Sequence, residues 1–264
     1  MKMINIYIII FIILFLVLFL FINKNKFDVI IPYGPNDDWI IQRCIDSCKK
    51  YIEGVNKIYV IAYKDVSLSN CIVITEDKFP FTKDYVSKKT SKERSGWYLQ
   101  QLIKLYIPRV IPNITENFLV VDADTVFYKK TTYIENGKLL YDTSEQHNLP
   151  YFEHMKRLHP ELKKYHTNSG ICDQMMFNTN ILEELLKMVE SYNKKEFYDA
   201  FLDCITNKKG SGASEYEIYF NYMIYKHKDL IKERELKKTT KNKYEESNNT
   251  YNYITYHYYQ IEKD

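Results

Sequence analysis

The chain has 264 residues, with 37 Lys and Arg against 34 Asp and Glu and a net charge of +3. The two signs are interspersed and no basic stripe is present, so nucleic acid is not an expected partner. Five cysteines cannot all pair with one another; Cys44 and Cys48 lie one helical turn apart, outside Cys-x-x-Cys spacing, and read as buried small hydrophobes rather than a zinc or redox motif.

The first element in chain order is residues 4–22, rich in Ile, Leu and Phe, uncharged and interrupted only by Asn5. As a helix at about 1.5 Å per residue it would span about 28 Å, close to the hydrocarbon core of a bilayer. A cleaved signal peptide ends in small residues, but no Ala, Ser or Gly precedes Gly34. An uncleaved single-pass anchor is therefore expected. Lys2 and the α-amine on one side nearly balance Lys24 and Lys26 on the other. The orientation taken is type II, with the N-terminus in the cytosol and the domain in a lumen. The chain thus divides into an anchor with a short linker, residues 1–26, and a domain, residues 27–264, large enough for one α/β core. With so short a linker the domain is expected to sit against the membrane. Two N-glycosylation patterns, at Asn113 and Asn248, matter only for a luminal domain.

Residues 27–32 are the first strand candidate. Asp37 and Asp38 signal a helix start, followed by apolar residues at helical spacing through Cys48. Strands are expected at 57–63 and 71–75. Ser95 and Gly96 open a helix carrying Trp97, Leu99, Leu102, Ile103, Leu105 and Tyr106, with Pro108 and Pro112 ending or kinking it. A buried-type strand follows at 118–121, then short ones at 125–128 and 138–141. A helix is expected at 150–165 and a strand at 171–177. The amphipathic run Ile181, Leu182, Leu185, Leu186 and Val189 is a helix. Two more helices, 197–205 and 216–225, flank a flexible link at 208–212. Residues 232–249 read as an exposed loop and 251–259 as a β-prone segment. Strands alternating with helices predict an α/β fold, a mixed, parallel-rich sheet with helices on both faces.

The chemistry concentrates at Asp122-Ala123-Asp124, after Phe118-Leu119-Val120-Val121. Side chains two apart on a strand share a face, so two carboxylates point to one spot at the strand end. Hard cations such as Mg²⁺ and Mn²⁺ take such oxygen ligands and leave positions for phosphate. A solvated turn is the plainer reading of the same residues. Neither Gly-x-Gly-x-x-Gly nor a P-loop pattern occurs, so a nucleotide bound here needs its phosphates neutralised another way.

Five segments in order, DVIIPY at 28–33, GWYLQQLIK at 96–104, FLVVDAD at 118–124, DQMMF at 173–177 and SEYEIY at 214–219, resemble a GT-A glycosyltransferase. They are similar in particular to a group of glycosyltransferase-like proteins of unknown function in bacteria and large DNA viruses, which leaves a host or viral membrane open as the location. The resemblance implies a GT-A-like, Rossmann-type sheet. It also implies a nucleotide-sugar donor, UDP-linked by preference, and a hydroxyl acceptor on a glycan, glycoprotein or lipid. The cofactor it implies is Mn²⁺ or Mg²⁺ on Asp122 and Asp124. His257 is implied as a further metal ligand, an ordinary surface histidine being the alternative. Tyr33 would stack on the nucleotide base, the alternative being turn chemistry by Pro32 and Gly34. Gln100, Lys104 and Arg94 would face the diphosphate or sugar, while Trp97 reads as core. Asp122 would ligate the metal or hold the ribose.

Ser214 is a good N-cap and Glu217 stands at the reciprocal capping-box position. That favours Glu215 as the general base of an inverting transfer, with Glu217 kept as an alternative. Asp173 would hold donor-sugar hydroxyls or serve as the base. His154 and His166 are acceptor-side candidates. Two other classes fit the paired aspartates: a nucleotidyltransferase or phosphotransferase, and a non-catalytic anchored binding protein on the same scaffold.

Overall fold

The structure is a computed structural model that describes Phe11 and residues 26–261. The expected anchor, residues 4–22, lies outside the described residues apart from Phe11. Among the described residues no helix is long and apolar enough to cross a membrane.

The central sheet is ordered β3-β2-β1-β4-β8. Strands β1 (Phe27–Tyr33), β2 (Val55–Ala62), β3 (Ile72–Thr75) and β4 (Asn117–Val121) run parallel, and β8 (Gln174–Asn178) pairs antiparallel with β4. Every residue of β1 is buried, as in a strand covered on both faces. The chain leaves β1 for β2 and β3, then returns to the other side of β1 as β4. The β1–β4 boundary is therefore a topological switch point, and its carboxyl edge is where open α/β sheets bind ligands.

The helices are α1 (Ile41–Tyr51), α2 (Lys83–Lys89), α3 (Ser95–Val110), α4 (Leu149–Leu158), α5 (Thr179–Asn193), α6 (Phe197–Asp203) and α7 (Glu215–Lys226). Helix α3 packs on β1 and against α5 and α7, while α1 packs on β1, β2 and β5 (Thr125–Phe127). Two small sheets flank the centre. In one, β11 (Tyr253–Thr255) joins β5 antiparallel and β10 (Lys238–Thr240) parallel. In the other, β7 (Lys138–Asp142) joins β6 (Ile134–Glu135) antiparallel and β9 (Ile231–Arg234) parallel.

The expected elements differ from these in several places. The helix expected at 150–165 stops at Leu158, two residues before Pro160, because a residue preceding proline disfavours helical backbone. The strand expected from 171 starts at Gln174, since only there does the chain come alongside β4. The polar stretch 232–249 is not simply a loop. It carries part of β9 and all of β10, recruited by their partner strands despite weak local propensity. Helix α2 had no sequence expectation; Thr82 caps it by accepting from the Tyr85 N–H. Pro108 stands inside α3 rather than ending it.

Candidate active site at the carboxyl edge

Asp122 and Asp124 occupy the turn that leads from β4 into β5. The turn is held from three sides. The Asp122 N–H donates to the Asp173 carbonyl at 2.9 Å, the Thr125 N–H to the Asp122 carbonyl at 3.0 Å, and the Tyr256 N–H to the Asp124 carbonyl at 2.9 Å. The β5–β11 ladder, which pairs Thr125 with Thr255, delivers the last of these.

The two carboxylates face different neighbours. Asp122 Oδ1 accepts from Lys104 Nζ at 2.7 Å and from the Tyr216 hydroxyl at 3.1 Å. The same ammonium donates to Glu215 Oε1 at 2.6 Å and lies 4.2 Å from the centre of the Tyr216 ring. Asp124 Oδ2 stands 2.9 Å from His257 Nδ1, and the imidazole stacks on Tyr259 with centroids 5.2 Å apart. Asp37, just beyond β1, lies within electrostatic reach of both aspartates. Burial first, then the charges of Asp124 and Asp122, push its carboxyl up to about 7.

The same crowding acts on Asp122. Burial raises its carboxyl to about 6, Lys104 pulls it down and Asp124 pushes it up. Its side chain keeps 34% of its surface open to solvent, so water relieves part of that burial. Burial alone would lower Lys104, but the carboxylates of Asp122 and Glu215 outweigh it and hold the amine above its ordinary value. His257 is held above the usual histidine range by its bond to Asp124, against the effect of burial.

The remaining sequence candidates fall into two groups. Asp173 borders the site, its carboxylate 3.1 Å from Lys238 Nζ. Gln100 and Asp37 both lie beside Gly34: a methyl group at that glycine would stand 3.5 Å from Gln100 Nε2 and 3.9 Å from Asp37 Oδ2. Arg94 sits over the Trp97 ring at 4.2 Å and donates to Ser211 Oγ at 3.0 Å; its charge, with those of Asp124 and Asp173, reaches Tyr259. The Tyr33 ring is buried edge-on to Tyr63 at 5.4 Å, and its hydroxyl donates to Asp38 at 2.6 Å.

Other candidates are engaged elsewhere. Glu217 is fully buried, accepts from Ser169 Oγ and, at 2.7 Å, from Asn221 Nδ2, and points into the packing under α7. Its N–H donates to Ser214 Oγ at 3.3 Å, so the N-cap forms as expected while the Glu217 carboxylate turns to other donors. His154 is buried in α4 against the Phe201 carbonyl at 2.8 Å, and burial lowers it to about 4, so it does not line an open surface. His166 pairs with Glu233 at 2.9 Å. Lys104 is not on an open face with Gln100 but 5% exposed beneath the aspartates.

Two residues at this edge escaped the sequence reading. Asp37 reads locally as a helix-start signal, although it follows the first strand at the edge where ligands bind. Tyr216 offered no local signal, because it meets Asp122 across 94 residues.

Among the described residues no three His, Cys, Asp or Glu side chains gather closely enough to chelate an ion unaided. That is compatible with Mg²⁺ or Mn²⁺ chemistry, in which one or two carboxylates serve together with water and substrate phosphates. A cavity of about 320 Å³ opens near the same edge, lined by Tyr63, Thr75, Glu76, Phe81, Lys83 and Leu99 among others.

A search of curated proteins finds no match. Among solved structures the chain is similar to mouse xyloside xylosyltransferase 1 in its apo form, at 10% identity and a TM-score of 0.44, covering 87% of this chain and 97% of that one. A family model described as a family of unknown function, DUF6492, matches residues 11–257. The chain belongs to that family.

Proposed function

We propose that this protein is a metal-dependent glycosyltransferase, held to a membrane by residues 4–22 in type II orientation, that moves a sugar from a nucleotide-sugar donor to a hydroxyl of a glycan, glycoprotein or lipid. The observation that carries the reading is the pair Asp122 and Asp124 in the turn after β4, at the carboxyl edge of the switch point, with His257 Nδ1 2.9 Å from Asp124 Oδ2 and with Asp37 pushed up to about 7 by burial and then by the charges of Asp124 and Asp122. Lys104 offsets part of the negative charge at Asp122, and the partly buried acids around it favour a further cation. Asp122 and Asp124 would hold Mn²⁺ or Mg²⁺, with His257 beside Asp124 as the nitrogen donor or as the group that orients that carboxylate. The ion would supply Lewis-acid stabilisation of charge on the departing diphosphate.

This chain's own groups do the rest. Gln100 and Arg94 would meet the diphosphate or sugar, and the nucleoside would lie between the loop after Tyr33 and the 320 Å³ cavity beside Tyr63. Asp173 keeps 20% of its side-chain surface open, against 5% for Glu215. A base must reach the acceptor hydroxyl, so Asp173 is the better placed of the two.

The test uses full-length protein in detergent with UDP- and GDP-sugars and Mn²⁺, followed by calorimetry and by analysis of released products. Binding of one donor and release of nucleoside diphosphate, both lost in Asp124→Ala, are expected. Conversion of the nucleotide sugar to nucleoside triphosphate and sugar 1-phosphate when pyrophosphate is added would make it a nucleotidyltransferase instead. Folded protein that binds no nucleotide sugar would remove the proposal.

A further inference from the structure

Lys104 is a cation already seated against Asp122. Its ammonium is buried, bonded at once to Asp122 Oδ1 at 2.7 Å and Glu215 Oε1 at 2.6 Å, and seated on the Tyr216 ring. We propose that Lys104 is a resident counter-cation of the candidate metal centre, which competes with the divalent ion for Asp122 and passes to Glu215 when that ion binds. The inference rests on the metal site proposed above and deepens it by saying how the site is controlled.

Three features support it. Asp122 Oδ1 accepts from both Lys104 and the Tyr216 hydroxyl, so a metal ion approaching that oxygen must displace one of them or face the ammonium's repulsion. A second acceptor is in place, since Glu215 touches the same nitrogen. Glu215 is the first residue of α7, where the helix N-terminus favours a carboxylate. Finally, a lysine is a compact charge on a flexible stem with three donors, and it can shift between two oxygens without leaving its seat. Glu215 is then a positioning residue that acts through Lys104.

The experiment is Mn²⁺ binding to the full-length protein without donor, read from loss of the free-ion electron paramagnetic resonance signal. Lys104→Met is expected to bind Mn²⁺ about tenfold more tightly, because a repelling charge is removed beside the ligand. Glu215→Gln is expected to bind several-fold more weakly, because the ammonium then leans on Asp122 alone. A damaged fold does not tighten binding, so the Lys104→Met gain separates this role from a structural one. Should Lys104→Met fail to fold, Lys104→Gln, which retains a donor, carries the same expectation. Unchanged or weaker binding in the folded lysine variant, or unchanged binding in Glu215→Gln, overturns the proposal while leaving the metal site standing. Wild-type protein that binds no Mn²⁺ overturns both.

Discussion

The two ends of strands β1 and β4 treat aspartate in opposite ways. At the amino edge Asp28 is buried, and its carboxylate accepts from Asn56 Nδ2 at 2.8 Å, from the Lys57 N–H at 3.1 Å and from the Thr115 N–H at 3.0 Å. Its own N–H donates to Thr115 Oγ1 at 2.7 Å. One acid there meets a full set of donors and ties β1 to the chain segments entering β2 and β4. At the carboxyl edge the carboxyls of Asp37 and Asp122 are raised first by burial, and the charge of Asp124 raises both further. The contrast separates an aspartate that builds the fold from aspartates whose arrangement costs stability. Strain of the second kind is what a binding site tolerates in exchange for function.

The largest expected effect falls on the amino edge. Asp28→Ala leaves three N–H groups without their acceptor and should cost about 3–4 kcal/mol of unfolding free energy in denaturant titration. A change below about 1 kcal/mol would mean that water replaces the carboxylate, and the contrast would be weaker than drawn.

Asp37→Asn probes the other edge and should act in the opposite direction. A carboxyl whose folded pKa is raised destabilises the fold once pH exceeds its unfolded value. The penalty for Asp37 therefore grows from about pH 4 to about pH 7 and is constant above. Each pKa unit is worth about 1.4 kcal/mol, and allowing for partial exposure the variant should gain about 2 kcal/mol at pH 8 and little at pH 4. Equal stabilisation at both pH values would assign the gain to something other than charge. Saturating Mn²⁺ should likewise stabilise the wild-type protein at pH 8 and stabilise Asp124→Ala much less, by thermal denaturation.

The smallest expected effect is at His257, which is partly exposed. Its folded pKa is raised, so its bond to Asp124 contributes most below the unfolded value near 6.5 and fades as pH rises through the folded one. His257→Ala should cost about 0.5–1 kcal/mol at pH 5.5 and less at pH 8.5. A cost that grows with pH would show that the imidazole is held for its packing on Tyr259.

Much of this was legible before folding was considered. The alternation of strands and helices is written in local periodicity, and β1, β2, β4, α1, α3 and α5 appear close to their expected places. The Asp-x-Asp pair was legible because its two members need no distant partner to be recognised. Asp37 was harder to read, since an acid after a strand and before a helix has a sufficient local explanation in the helix start. Glu217 misled for a related reason: the capping position is local, but the donors that claim its carboxylate, Ser169 and Asn221, are set by how α7 packs. Strands β9 and β10 were illegible because edge pairing, not propensity, makes them.

The sequence by itself determined the long apolar run at the start, the α/β alternation and the acids available for chemistry. Each depends on residues within a few positions of one another, where periodicity and residue type suffice. Only the tertiary structure decided that Lys104 stands between Asp122 and Glu215, and that His257 meets Asp124. Those bonds span 18, 111 and 133 residues. Which side chains meet over such separations is set by the order in which strands cross the sheet, a property of the whole packed core that no local pattern contains.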